Sequence, residues 1–167
     1  MIADPASPVS RKPAGGVAAV QLASAANLRE YDFSDGGARC TRLFFADNGA
    51  VMQCQLLEER SSFDESLTTE GGAAAVVHRL SLVADRNMAA AWLTPDFVSE
   101  LICCGGVAMV LLADGRRFVV GISRKFGAEQ PLRLKSLKTA SGRRAVDEPT
   151  VELVLESADT AFAATLN

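Results

Sequence analysis

Residues Val107 to Leu112 are six consecutive apolar side chains, and the dipeptide Asp114-Gly115 follows almost at once. A run this short, bounded by turn residues, predicts a strand covered on both faces rather than a helix. Asp-Gly tolerates positive φ, so it returns the chain into a second strand, Arg117 to Ser123. The rest of the chain must therefore supply a layer on each side of this hairpin, which points to a packed β structure.

Several segments fit that demand. Val76 to Ala84 alternates, with Val76, His78, Leu80 and Leu82 on one face and Val77, Arg79, Ser81 and Val83 on the other. Leu132 to Leu137 and Val151 to Ser157 alternate too, joined by a loop from Ala140 to Pro149, and Val17 to Leu22 reads as a first strand. Arg42 to Phe45 and Val51 to Leu57 flank Asn48-Gly49, a hairpin turn signal. That hairpin would set Cys40 near Leu57 and Cys54 near Leu43, so the two sulfurs would not oppose each other.

One helix is expected. Thr94 supplies an N-cap, Pro95 the first helical position and Asp96 an early acid, while Gly105-Gly106 ends the element. Phe97, Val98, Leu101, Ile102 and Cys104 share its apolar face, and an extension back through Met88 to Leu93 would break at Thr94-Pro95. Asn27 to Ala38 reads as a surface loop anchored by Tyr31 and Phe33, and Glu58 to Gly72 as a long polar loop. Residues 1–16, with three prolines and two glycines, read as a flexible arm ahead of one mainly β domain, residues 17–167.

Composition sets outer bounds. At 167 residues, 49% hydrophobic and 22% charged, the chain sits in the globular range and buries about 70% of its unfolded surface. No stretch approaches the roughly 20 apolar residues that span a bilayer, so no membrane association is expected. Arg11-Lys12 and the small residues after Leu22 imitate a signal peptide, but Asp4 and the early prolines argue against export, and a cytoplasmic location follows. Four cysteines in a chain this long suggest free thiols, and the neighbours Cys103-Cys104 on a helix should point apart.

No catalytic, cofactor-binding or metal-binding set emerges. His78 is the single histidine and sits mid-strand, where a hydrogen-bonded residue at the edge of the core is the plainer explanation than a base or ligand. CxxC and HxxxH spacings are absent, which removes the usual zinc patterns. A thiol nucleophile at Cys103 or Cys104 would need His78 as its base, and the alternative is that these cysteines act as small hydrophobes. The carboxylate pairs Glu58-Glu59, Asp64-Glu65 and Asp147-Glu148 are expected to face solvent. None of the glycine pairs follows a strand and opens a helix as a phosphate loop must.

Charge is uneven along the chain. The net charge is -3, yet Arg116 to Arg144 holds nine basic residues against Glu129 alone, and residues 145–167 hold five acids and no base. Arg116, Arg117, Arg124, Lys125, Arg133, Lys135, Lys138, Arg143 and Arg144 are thus the candidate interface. They could bind nucleic acid through phosphates, meet another protein subunit, or be neutralised internally. Arg133 and Lys135 share a strand face, as do Glu152 and Glu156 on the next strand, which favours cross-strand pairing. Only Phe118 and Phe126 interleave with the bases, so support for base stacking is thin.

An ordered set of features spans Val76 to Thr160. His78-Arg79-Leu80 opens a strand, a helix ends in glycine, and an apolar strand turns at Asp114-Gly115. Val119-Val120-Gly121, Glu129-Gln130-Pro131-Leu132-Arg133-Leu134 and Ser141-Gly142 follow, then a strand ending Leu155-Glu156-Ser157-Ala158-Asp159-Thr160. This order resembles small prophage-type bacteriophage tail and virion structural proteins. The resemblance implies a non-enzymatic tail-assembly subunit of tube-like, terminator or completion type, self-associating into rings or meeting other virion subunits, and cytoplasmic until assembled.

The expected fold class is α+β, mainly an antiparallel β sandwich or incomplete barrel with one principal helix packed on a sheet. The alternative function is a β-scaffold binding module that presents residues 116–144 to nucleic acid or an acidic protein partner. A small enzyme using His78 with Cys103 or Cys104 is the third class.

Overall fold

A computed structural model of the chain describes residues 16–46, 51–141, 143 and 149–166. The fold is α+β and mostly strand, with two sheets and two α-helices. The first sheet contains β1 (Val17–Ser24), β2 (Leu28–Ser34), β3 (Arg39–Phe45), β4 (Met52–Cys54), β7 (Gly106–Leu112), β8 (Arg117–Val120) and β11 (Ala164–Leu166), in the order β2-β3-β11-β8-β7-β1-β4. The second contains β5 (Ser62–Glu70), β6 (Ala73–Asp85), β9 (Arg133–Ala140) and β10 (Thr150–Asp159), in the order β5-β6-β10-β9. Every pairing is antiparallel except that of β11 with β3.

The Val107–Leu112 run occupies β7; one face is buried at Ala108 and Val110, while on the other Val107 is buried but Met109 and Leu111 are only half-buried, so the covering expected on both faces is partial. Ala108 and Val110 join Val20, Leu22 and Val120 in a core that also takes Leu80, Leu82, Leu153 and Leu155 from the second sheet. Val107, on the opposite face, packs with Val119, Cys40, Ile122 and Ala164 in a separate cluster. Each fully buried leucine of the larger core, such as Leu22, Leu80 and Leu155, contributes about 1.5–3 kcal/mol relative to exposure. On β6, Val76, His78, Leu80 and Leu82 are all buried, as their alternation requires.

Two helices stand where one principal helix was expected. Helix α1 (Arg86–Trp92) is capped by Asp85, whose Oδ1 accepts from the Met88 amide at 2.7 Å. Helix α2 (Pro95–Cys104) is capped by Thr94, whose Oγ1 accepts from the Phe97 amide at 3.3 Å. The break falls at Thr94-Pro95 because the residue before proline avoids the helical region. Phe97 and Leu101 are buried, but Ile102 is 64% exposed, so the packed stripe of α2 is narrower than its apolar sequence.

The long-range pairings correct three other expectations. The segments around Asn48-Gly49 do not pair: β3 joins β2 and β11, β4 joins β1, and four strands lie between them, while Asn48-Gly49 itself lies outside the described residues. Residues Asn27 to Ala38 are not a loop; most form β2, which turns through Asp35–Gly37 into β3. Residues Glu58 to Gly72 are not a loop either. Nine of them form β5, which turns through Gly71-Gly72 into β6, both glycines at positive φ as a two-residue hairpin of this kind needs. Of the N-terminal arm only Gly16 is described, and its carbonyl accepts from the Ala113 amide at 3.0 Å; most of the Ala140–Pro149 loop is likewise outside the described residues.

Candidate interaction surface

Seven of the nine basic residues divide among three places. Arg116 and Arg117 follow the β7–β8 turn, where Asp114 accepts from the Arg116 amide at 3.0 Å and from its Nε at 2.7 Å, holding the Asp114 carboxyl below its usual range. Arg124 and Lys125 lie on the connection from β8 to β9, beside a cleft of about 390 Å³ that also takes in Gly37, His78, Asp159 and Thr160. Arg133, Lys135 and Lys138 lie on β9. Arg143 is exposed, and Arg144 lies outside the described residues. Phe118 and Phe126 each carry a cation of the same segment over one face of the ring, Arg116 at 5.7 Å and Lys125 at 5.3 Å.

On the second sheet the charges form a row of alternating sign. Register places Asp64 opposite Arg79, Arg79 opposite Glu156, and Glu156 opposite Arg133, with the Arg79 guanidinium 3.6 Å from Glu156. Lys138 stands opposite Glu152. Lys135 sits at a register shift between Leu134 and Ser136, so it has no strand partner of its own, though it lines a shallow depression with Arg133, Glu156 and Glu129. Register thus sets an acid across from Arg133 and from Lys138 and none across from Lys135, while among the described residues the ion pair within 4 Å on this row is that of Glu156 with Arg79.

The run Glu129 to Leu134 acts as the crossover between sheets. Leu132 is buried and exchanges backbone hydrogen bonds with Gly106 at 2.8 and 2.9 Å, and the next residue opens β9 in the other sheet.

The buried face of the second sheet holds a polar row that the sequence did not reveal. Glu65, His78 and Ser157 stand opposite one another on β5, β6 and β10. The Ala161 carbonyl lies 3.1 Å from His78 Nε2 and can only accept, so Nε2 carries a proton; in the neutral imidazole Nδ1 then accepts from the Ser157 hydroxyl at 3.3 Å. Glu65 Oε2 lies 3.4 Å from Nε2 and accepts from the Ala163 amide at 2.8 Å. Serine, histidine and carboxylate are the components of an acyl-transfer site, but here Ser157 is 7% and His78 4% exposed. What the row does in the fold is hold residues 161–163 against the second sheet. Glu65 therefore turns inward, contrary to the solvent-facing expectation, while Asp64, Glu58 and Glu59 are exposed. The signal was the inward phase of β6, which fixed the side on which His78 would find partners but not their identity.

The cysteines are free. Burial pushes the Cys54 thiol up to about 12 and raises that of Cys40 as well. Cys103 and Cys104 do not point apart: their sulfurs lie 3.2 Å from each other, because the single Cβ–Sγ bond lets each thiol swing across the diverging Cβ atoms. That contact raises the Cys104 thiol, the opposite of what an activated nucleophile needs.

The surface is also marked by what projects from it. Beyond the first β10 partner of β6 at Val76, the pairs Thr68–Ala75, Thr69–Ala74 and Glu70–Ala73 continue as a two-stranded ribbon with every residue exposed. Leu67, at its base, is 50% exposed, and Leu137 on the opposite edge of the sheet is 38% exposed. No helix among the described residues is long and apolar enough to cross a membrane, and no group of His, Cys, Asp and Glu there could hold a metal ion. No family model, curated protein or solved structure matches the chain.

Proposed function

We propose that the chain is a non-enzymatic structural subunit of a phage- or prophage-type particle, a self-associating tail-assembly protein of tube-like, terminator or completion type. The observation that carries this is the β5–β6 ribbon. Two strands without a third neighbour or a core are marginal in water, so a ribbon of this kind gains most when a neighbouring molecule covers it. Ala73, Ala74 and Ala75 present only methyl groups there, which lets a second backbone come close. The order of features from Val76 to Thr160 supports the phage-type assignment by resemblance. In such a subunit the two sheets are the layers of an incomplete antiparallel sandwich whose open edges face neighbouring subunits, and the protein stays in the cytoplasm until assembly.

The test is solution mass by light scattering across a concentration series, with negative-stain electron microscopy of the concentrated fractions. Wild type is expected to form rings or tubes. A variant in which the ribbon is shortened to a two-residue turn between Leu67 and Val76 is expected to keep its circular dichroism spectrum and stay monomeric. A wild-type protein that is monomeric at every concentration overturns the assignment.

A further inference from the structure

We propose that the two open edges of the second sheet are the two halves of one interface, in which β5 of one copy adds antiparallel to β9 of the next. This rests on the self-associating role proposed above and names its partner as a second copy of this chain. Among the described residues, the backbone hydrogen bonds of β5 run to β6 and those of β9 to β10, so each strand has an unpaired outer side. The order β5-β6-β10-β9 is antiparallel throughout, so its edge strands run in opposite directions. A second copy displaced along the sheet without inversion therefore meets β9 with an antiparallel β5, and the ladder continues across the junction.

Charge selects this pairing over its rivals. β5 carries Asp64, Glu65 and Glu70 and no base, whereas β9 carries Arg133, Lys135 and Lys138 and no acid. Joining β5 to β5, or β9 to β9, would set like charges across the junction, which destabilises a strand pair. The lysines and the register shift of β9 discourage indiscriminate pairing, and an acidic strand is the partner that overcomes them.

Side-chain phase fixes the register. Leu67 stands opposite Val76 and Leu137 opposite Leu153, so both half-exposed leucines lie on the core-facing side of the sheet. Setting Leu67 of one copy against Leu137 of the next puts Ser66 opposite Lys138 and leaves Asp64 diagonal to Lys138. Continuing past the irregularity at Lys135, Glu70 comes opposite Arg133. The alternating row Asp64, Arg79, Glu156, Arg133 then gains an acid from the neighbouring copy at its open end. Because the two edges differ, the contact is head-to-tail and propagates into a ring or a filament.

The experiment is a disulfide trap in a Cys103→Ser, Cys104→Ser background. Residues directly opposite on antiparallel strands have Cα atoms about 4.5–5.5 Å apart, within disulfide range. One preparation carries Leu67→Cys and the other Leu137→Cys, each with a different affinity tag, and non-reducing electrophoresis follows mild oxidation. Mixing is expected to give a covalent dimer containing both tags, and neither preparation alone should cross-link. Arg133→Glu with Lys138→Glu on the Leu137→Cys chain should lower the mixed yield at least tenfold, and Asp64→Lys with Glu70→Lys on the other chain should restore it. Cross-linking within either preparation alone overturns the head-to-tail pairing. Multimers in light scattering without the mixed dimer also overturn it while leaving self-association standing; a strict monomer without cross-links overturns both.

Discussion

Gly121 lies against the backbone where the Leu132 crossover meets β7. Its φ is +100°, and a Cβ added there would stand 2.5 Å from the Gly106 carbonyl oxygen and 3.2 Å from the Leu132 amide, the two residues whose mutual hydrogen bonds form the crossover. Those are backbone atoms that no rotamer change can move. Gly115 has a comparable φ of +91° but open space around it. Gly115→Ala is therefore expected to cost about 1 kcal/mol from backbone strain alone, and Gly121→Ala about 2–3 kcal/mol. Urea denaturation of the two variants separates the contributions, and equal costs would mean that the crossover yields without loss.

Cys54 links the core to pH. Its thiol is pushed up to about 12 from an ordinary value of 9.0 because the anion would be stranded among apolar side chains. Between these values the unfolded chain loses the proton and the folded chain keeps it. Stability is thus fully present below about pH 9 and falls as pH rises, with a slope approaching about 1.4 kcal/mol per pH unit for one group. Cys54→Ala should be less stable at pH 7 but should fall less steeply between pH 9 and 11. Parallel curves for the variant and wild type would show that the thiol ionises without unfolding the core.

The helices test how far local chemistry decides an element. Asp85→Ala and Thr94→Ala each remove a side-chain acceptor from an N-terminal amide, and each is expected to lower stability by about 1 kcal/mol in chemical denaturation. An unchanged midpoint for Asp85→Ala would mean that the Pro149 carbonyl, which accepts from the Arg86 amide at 3.1 Å, positions α1 by itself. The Thr94 cap was legible in the sequence because it acts over three residues, whereas the Asp85 cap emerges only with α1 itself; β6, β7 and β10 were legible from their apolar patterns. β5 and β2 were not. β5 is polar along nearly its whole length, with Phe63 packing inward, and its strand character comes from nine residue pairs with β6. The Asn48-Gly49 signal misled because β3 finds its partners through β2 and the distant β11. At the polar row, His78 was placed correctly inside the sheet, but Ser157 arrives from 79 residues away, a separation no local pattern encodes.

At the scale of the molecule, a short C-terminal strand, β11, bridges two parts of the first sheet, and the residues just before it are tied to the second. Among the described residues β3 has only β2 and β11 as strand neighbours, so there the β2–β3 ribbon is paired to the rest of the first sheet through β11, at Thr165 and Leu166. β11 enters between β3 and β8 because Ala161 and Ala163, just before it, are tied by His78 and Glu65 to the second sheet. Removing Ala164 to Asn167 should therefore leave β6 and β10 protected from hydrogen exchange and raise exchange in β2 and β3 at least tenfold, since a ribbon without a third strand opens easily. His78→Leu should give a weaker version of the same pattern, as it frees the turn without deleting the strand. If β2 and β3 keep wild-type protection in the truncated chain, the packing of Cys40, Phe33 and Leu43 against Val107 and Val119 holds the ribbon in place. Loss of protection in β2 and β3 alone would instead make the polar row and β11 a latch through which strain on the second sheet reaches the first.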